Sequence, residues 1–316
     1  MSHAAVALLG LVVLVGCDKQ KPGPSGQPGK PESGSLAEAR RGFRTKLIRD
    51  DSEKDPPPKP PDEAFRMVQY PSPAGQLVAY LSVAPADGRK HPAIVWIVGG
   101  DCNSIDEGCW TEGPPENDQS ACAFRRAGIV MMFPALRGGS GNPGIKESFL
   151  GEVGDVLAAA DFLAGQESVD PARVYLGGHS TGGTLALLTA EVSGRFRATF
   201  SFGPVSDVTN YGEEFTPFDT SNPHEAELRA PGRWLNSAQS PVFVLEGTRQ
   251  GNIASLKEMR ASCTNGNVHF LPVKGADHFS ILAPTTRLLA EKIQADQGET
   301  CNIAITEDEL NRLFGK

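Results

Sequence analysis

Beyond residue 16 the sequence contains no apolar run long enough to cross a bilayer, no Cys-x-x-Cys pair, no cluster of basic residues and no internal repeat. Each absence removes a class of function. Without cysteines paired at ligand spacing, a structural zinc site is not expected. With a formal net charge of −8 and dispersed Lys and Arg, nucleic acid is not expected as a partner. Nothing in the chain calls for a metal or an organic cofactor. Tryptophan is scarce, at three residues: Trp96 sits in a continuous apolar run and reads as core, whereas Trp110 and Trp234 fall in loops and are expected to line a cleft.

What is present begins with Met1 to Gly16, an apolar run too short to span a bilayer comfortably, which ends in Leu14-Val15-Gly16-Cys17. It reads as an export signal peptide. Small residues ahead of a cysteine resemble the lipobox of bacterial lipoproteins. That resemblance implies cleavage before Cys17, its lipidation, and a mature chain anchored to a membrane surface of the cell envelope, periplasmic or outward-facing. Residues 17–62 are crowded with Pro, Gly, Lys and Glu, including Pro56-Pro57-Pro58-Lys59-Pro60-Pro61, and are expected to be a disordered tether. Residues 63–316 are then enough for one well-buried α/β domain. In an exported, oxidising setting the five cysteines after Cys17 suggest disulfides: one bridge among Cys102, Cys109 and Cys122, and Cys263 with Cys301.

Within the domain, apolar runs alternate with helical stripes. Residues 65–70 and 77–84 read as a hairpin around Pro71, Pro73 and Gly75. Residues 93–98, 129–133, 197–202, 242–245 and 268–273 read as buried strands, and residues 151–163, 253–260 and 284–295 as helices. Thr306-Glu307-Asp308-Glu309 looks like a capping box opening a terminal helix. The alternation predicts a mostly parallel central sheet with helices on both faces, and in such sheets ligands sit at the carboxyl ends of the strands.

The most informative stretch is Val174-Tyr175-Leu176-Gly177-Gly178-His179-Ser180-Thr181-Gly182-Gly183, followed by Leu185 to Ala190. A β-rich run breaks at paired glycines, presents a serine between glycines and resumes with helix formers. Gly178-His179-Ser180-Thr181-Gly182 fits the Gly-x-Ser-x-Gly elbow, in which a strained turn projects the serine hydroxyl over the sheet edge. The backbone N–H of Thr181, at the helix start, then faces developing negative charge.

With Val98-Gly99-Gly100, Phe133-Pro134-Ala135-Leu136-Arg137-Gly138-Gly139-Ser140-Gly141, Gly151-Glu152-Val153-Gly154-Asp155, Val169-Asp170-Pro171-Ala172-Arg173-Val174 and Gly275-Ala276-Asp277-His278-Phe279, the elbow makes residues 90–295 resemble an α/β-hydrolase, in particular the catalytic domain of the prolyl oligopeptidase family. The resemblance implies an α/β-hydrolase fold, but without the family's β-propeller, because residues 62–91 are too few to supply one. Access to the site would then be set by loops, with residues 101–120 as the candidates.

The resemblance makes Ser180 the nucleophile and His278, on a Gly-Ala-Asp-His turn after the last strand, its general base. The acid departs from the family: where relatives read His-Gly-x-x-Asp, this chain reads Glu246-Gly247-Thr248-Arg249-Gln250, so the expected aspartate is Gln250. Glu246 at the strand end and Asp207 after the preceding strand are both candidates; Asp277, adjacent to the base, is the weakest. The oxyanion hole combines the N–H of Thr181 with one from Gly100 or Asp101, and relatives carry His or Tyr where Val98 stands. Arg137 is expected in a structural ion pair with Glu152 or Asp155, with Gly138 to Gly141 shaping the pocket floor or bracing a loop. Two functions fit: a membrane-tethered serine hydrolase cleaving peptide or carboxylic ester bonds through an acyl-enzyme, or a non-catalytic lipoprotein that keeps the fold as a binding module. The missing aspartate and Val98 argue for the second; intact Ser180, Thr181, Gly182 and His278 argue for the first.

Overall fold

The computed structural model describes residues 34–315, so the expectations for the signal run and Cys17 lie outside the described residues. The strands are β1 (Phe65–Ser72), β2 (Gly75–Ser82), β3 (His91–Ile97), β4 (Val130–Pro134), β5 (Val169–His179), β6 (Thr199–Phe202), β7 (Val242–Gly247) and β8 (Val268–Val273). The helices are α1 (Leu36–Ala39), α2 (Ala123–Arg126), α3 (Glu152–Ala164), α4 (Thr181–Val192), α5 (Pro223–Glu227), α6 (Ile253–Ser262), α7 (Leu282–Ala295) and α8 (Glu307–Phe314). One eight-stranded sheet runs β1-β2-β4-β3-β5-β6-β7-β8. The β1–β2 hairpin and its junction with β4 are antiparallel, and the remaining pairs are parallel.

Burial on both faces explains the unbroken apolar strands. Along β3, Ala93, Val95 and Ile97 pack into one core layer while Ile94 and Trp96 pack into the other, as the two-residue period of a strand requires. The first layer is closed by α1, α3 and α4, through Leu36, Val156, Leu163, Leu185 and Leu188. The second is closed by α2, α7 and α8, through Phe124, Leu289, Ile293 and Leu310. Each large apolar side chain removed from water in this way contributes about 1.5–3 kcal/mol before entropy is charged against it. Because β3, β5, β6, β7 and β8 are mutually parallel, their carboxyl ends share one edge, and the loops that follow them meet there.

Two expectations are corrected. The described part of the supposed tether, residues 34–62, is packed onto the domain. Ser35 caps α1 in a full capping box, and Leu36 is completely buried. The Arg40 guanidinium donates to the carbonyls of Leu228, Phe149 and Leu150, and the Thr45 hydroxyl and Lys46 N–H donate to the Glu225 carboxylate. Composition misled because it averages over the segment, whereas docking depends on a few anchors and the surface they meet. The prolines between them also lower the entropy lost on ordering. The second correction concerns the cysteines: Cys102, Cys109, Cys122, Cys263 and Cys301 are all free thiols. Cys102 packs in the first core layer and Cys109 in the second, with the sheet between them, while Cys263 and Cys301 likewise lie against different clusters. No helix of the described residues is long and apolar enough to cross a membrane.

Candidate active site

The elbow forms where β5 runs into α4. Ser180 has φ 56° and ψ −117°, a conformation that costs a non-glycine residue about 1–3 kcal/mol and persists only when its surroundings enforce it. Here the Ser180 N–H donates to the Phe202 carbonyl at 2.7 Å and its own carbonyl accepts from Thr184 N–H at 2.9 Å. A Cβ on Gly178 would come within 2.4 Å of the Gly182 carbonyl oxygen, and one on Gly182 within 2.3 Å of the Ile97 carbonyl oxygen. The glycines are therefore required by close backbone approach. Thr181 occupies the first helical position, where the N–H has no intrahelical partner. Its hydroxyl donates to the Gly100 carbonyl at 2.8 Å, tying the turn after β3 to the helix start. Val98, Gly99, Gly100 and Asp101 line the same cleft as Ser180, a cavity of about 710 Å³.

His278 follows β8 and lies beside the end of β7. Its Nδ1 is 2.9 Å from Glu246 Oε2, and the Glu246 side chain is wholly buried. The carboxylate also accepts from Gly247 N–H at 2.7 Å and Asn252 N–H at 3.0 Å, while the Asn252 side chain donates to the Gly203 carbonyl. An ionised carboxylate only accepts, so Nδ1 carries a proton, and in the neutral imidazole Nε2 keeps its lone pair. Gly203 and Gly251 leave room for the pair: a Cβ at either would sit 2.5–2.8 Å from His278 ring or side-chain atoms. Asp207 is turned to its own loop, where it accepts from the Thr209 N–H and hydroxyl. Asp277 caps the turn that carries the histidine, accepting from Phe279 N–H and Ser280 N–H. Gln250 is exposed.

Several residues at the site left no readable signal in the sequence. His179, at the variable position of the elbow, is buried with its Nε2 2.9 Å from the His278 carbonyl oxygen and its Nδ1 3.0 Å from Gln119 Oε1. Its ring centroid is 4.5 Å from that of His278. Burial, helped by the neighbouring His278, lowers its pKa to about 3, so His179 is neutral and donates from Nε2 to the His278 backbone. Tyr211 sits between Phe149 and Phe215, with its hydroxyl 2.7 Å from Thr184 Oγ1. Burial raises its pKa, and the hydrogen bond with the Thr184 hydroxyl acts in the other direction. Trp110 and Trp234, expected at the cleft, are elsewhere: Trp110 packs edge-on against Tyr80, and Trp234 is buried with its indole N–H on the Glu227 carbonyl. Arg137 makes the expected ion pair with Asp155, through Nε at 2.8 Å and Nη2 at 3.0 Å, and a second with Glu147. Glu152 instead accepts from Asn103 and Glu147 N–H, and burial raises its pKa.

Residues 117–254 match the profile of the prolyl oligopeptidase family, a span that includes Ser180, Thr181 and Glu246 and stops short of His278. Over 146 residues the chain is 31% identical to the uncharacterized peptidase YtmA of Bacillus subtilis (strain 168); the aligned part is 42% of this chain and 56% of that relative. Among solved structures, a puromycin hydrolase superposes with a TM-score of 0.59 at 17% identity, over 76% of this chain and 40% of the other. A Pyrobaculum calidifontis esterase superposes with a TM-score of 0.55 at 16% identity, over 82% of this chain and 88% of the other. The chain thus spans about half the length of the curated relative it matches.

Proposed function

From these premises, an α/β-hydrolase fold with a prolyl-oligopeptidase-like domain, we propose that the chain is a serine hydrolase acting on peptide or carboxylic ester bonds. The observation that carries the reading is the His278–Glu246 pair at 2.9 Å, on the sheet edge shared with the strained Ser180 elbow. His278 Nε2 takes the Ser180 proton as Oγ attacks the carbonyl carbon. The resulting oxyanion is held by the Thr181 N–H and a backbone N–H of the turn at Gly100 and Asp101. The imidazolium, stabilised by Glu246, returns its proton to the leaving amine or alcohol, leaving Ser180 acylated. Water then repeats the sequence: His278 takes its proton, the acyl–oxygen bond breaks, and the carboxylic acid is released. His179 fixes the backbone of the base from below. The binding-module reading drew on the missing aspartate at Gln250 and on Val98; the buried Glu246 carboxylate beside the imidazole weakens the first ground and leaves the second in place.

The test is covalent labelling of the folded chain by a fluorophosphonate probe, with Ser180→Ala as the control. Labelling that vanishes in the variant supports the reading, and a folded parent that never labels sinks it. We also propose export and lipid attachment at Cys17, supported by the apolar run of residues 1–16 and the small residues ahead of the cysteine. Cys17→Ser is expected to move the protein from the membrane pellet to the soluble fraction of the expressing cells; continued sedimentation with membranes would refute the anchor.

A further inference from the structure

Part of the lining of the cleft comes from an unexpected part of the chain. Glu53, Asp55, Pro56, Pro57 and Pro58 line the cavity that contains Ser180. This strap is pinned at its two ends, Glu53 and Pro58. Glu53 N–H donates to the Gly138 carbonyl at 2.7 Å, and the Glu53 carbonyl accepts from Gly141 N–H at 3.3 Å. The Glu53 carboxylate accepts from the Ser104 hydroxyl and from Ser140 N–H, so one side chain joins the strap to the loop after β3 and to the glycine-rich loop after β4. The Pro58 carbonyl accepts from the buried Tyr80 hydroxyl at 2.6 Å.

The glycine-rich loop is shaped to seat it. A Cβ on Gly138 would lie 2.8 Å from Ser52 Oγ, and one on Gly141 would lie 3.1 Å from the Lys54 carbonyl oxygen. Residues 56–58 have fixed φ and no N–H, so they offer a substrate neither a flexible surface nor an edge to pair with. They act as a stiff steric boundary. The cleft's volume of about 710 Å³ falls within the range of small-ligand pockets.

We propose that residues 53–58 set the size limit of the active site, admitting small esters and short peptides and excluding longer chains. The proposal rests on the hydrolase site described above and assigns to the N-terminal segment the selection of substrate by size. Its test reads access to residue 180 directly. In the full chain carrying Ser180→Cys, the alkylation rate at residue 180 is followed by mass spectrometry with iodoacetamide and with a maleimide bearing a poly(ethylene glycol) chain. The strap is then altered by Pro56→Gly, Pro57→Gly and Pro58→Gly together, or by Glu53→Ala alone should the triple variant not fold. The bulky reagent is expected to react about ten-fold faster in the strap variants while iodoacetamide changes less than about two-fold, the scale of discrimination that steric exclusion supplies. Equal changes with both reagents, or none, would overturn the proposal. This readout needs no hydrolysis, so a failure of the hydrolase reading, seen as no fluorophosphonate labelling of the parent, is distinct from a failure of the strap.

Discussion

Replacing Glu246 by Gln is expected to lower kcat/KM on an activated ester by about 10⁴-fold, the loss that follows when a triad histidine is left in the wrong tautomer. Loss of the negative charge weakens support for the imidazolium whichever way the glutamine amide is turned, and one of its two orientations also reverses the tautomer. Glu246 Oε1 accepts from Gly247 N–H and Oε2 accepts from both Asn252 N–H and His278 Nδ1. A glutamine has one oxygen for these three donors. With its oxygen toward Gly247, the amide NH₂ faces Asn252 N–H and turns His278 Nδ1 into an acceptor. The imidazole proton then moves to Nε2, where it cannot take the proton of Ser180. Asp207→Asn, by contrast, changes only a loop cap between Asp207 and Thr209 and is expected to stay within about three-fold of the parent. Steady-state kinetics on the three proteins decides the matter: comparable losses in both variants, or the larger loss at Asp207, would refute Glu246 as the partner of His278.

Arg137→Ala is expected to destabilise the fold by about 3–5 kcal/mol, because it strands a charge where water cannot reach. Asp155 is fully buried and receives the Arg137 backbone N–H together with Nε and Nη2. In a domain of this size the thermal midpoint should fall by roughly 10 °C. The control is Arg126→Ala, which removes an ion pair with Glu112 exposed on both sides and should cost less than about 1 kcal/mol. Chemical denaturation compares them, and equal costs would mean that the buried network is not holding the fold. The same network supports the site. Asn103 donates to the Arg137 carbonyl and to Glu152, and so links the loop after β3, with its Gly100 turn, to the loop that seats the strap.

Much of this was written in the order of residues. Alternation and apolar runs mark all eight strands, closest at β3, β4 and β8, while β5 begins at Val169, five residues before its apolar run, where Asp170 to Arg173 break the pattern. Gly178 to Gly182, set between a β-rich run and helix formers, declares a tight turn, because no side chain at either glycine would fit. The nucleophile candidate followed from that local pattern, and the base candidate from the family resemblance and the Gly-Ala-Asp-His turn after the last strand. Tertiary packing alone chose Glu246 over Asp207 as the neighbour of His278, since Glu246 stands at the end of β7 beside the loop that carries the histidine, whereas Asp207 lies in the loop beyond β6 and accepts hydrogen bonds from Thr209 there. It also left Cys102 and Cys109 unbridged in core layers on opposite faces of the sheet, a separation invisible in their spacing. The docking of residues 34–62 was beyond the sequence for a related reason. A proline-rich, polar segment carries its binding information in contacts with surfaces far along the chain, at Gly138, Glu225 and Leu228, and those surfaces exist only once the sheet has formed.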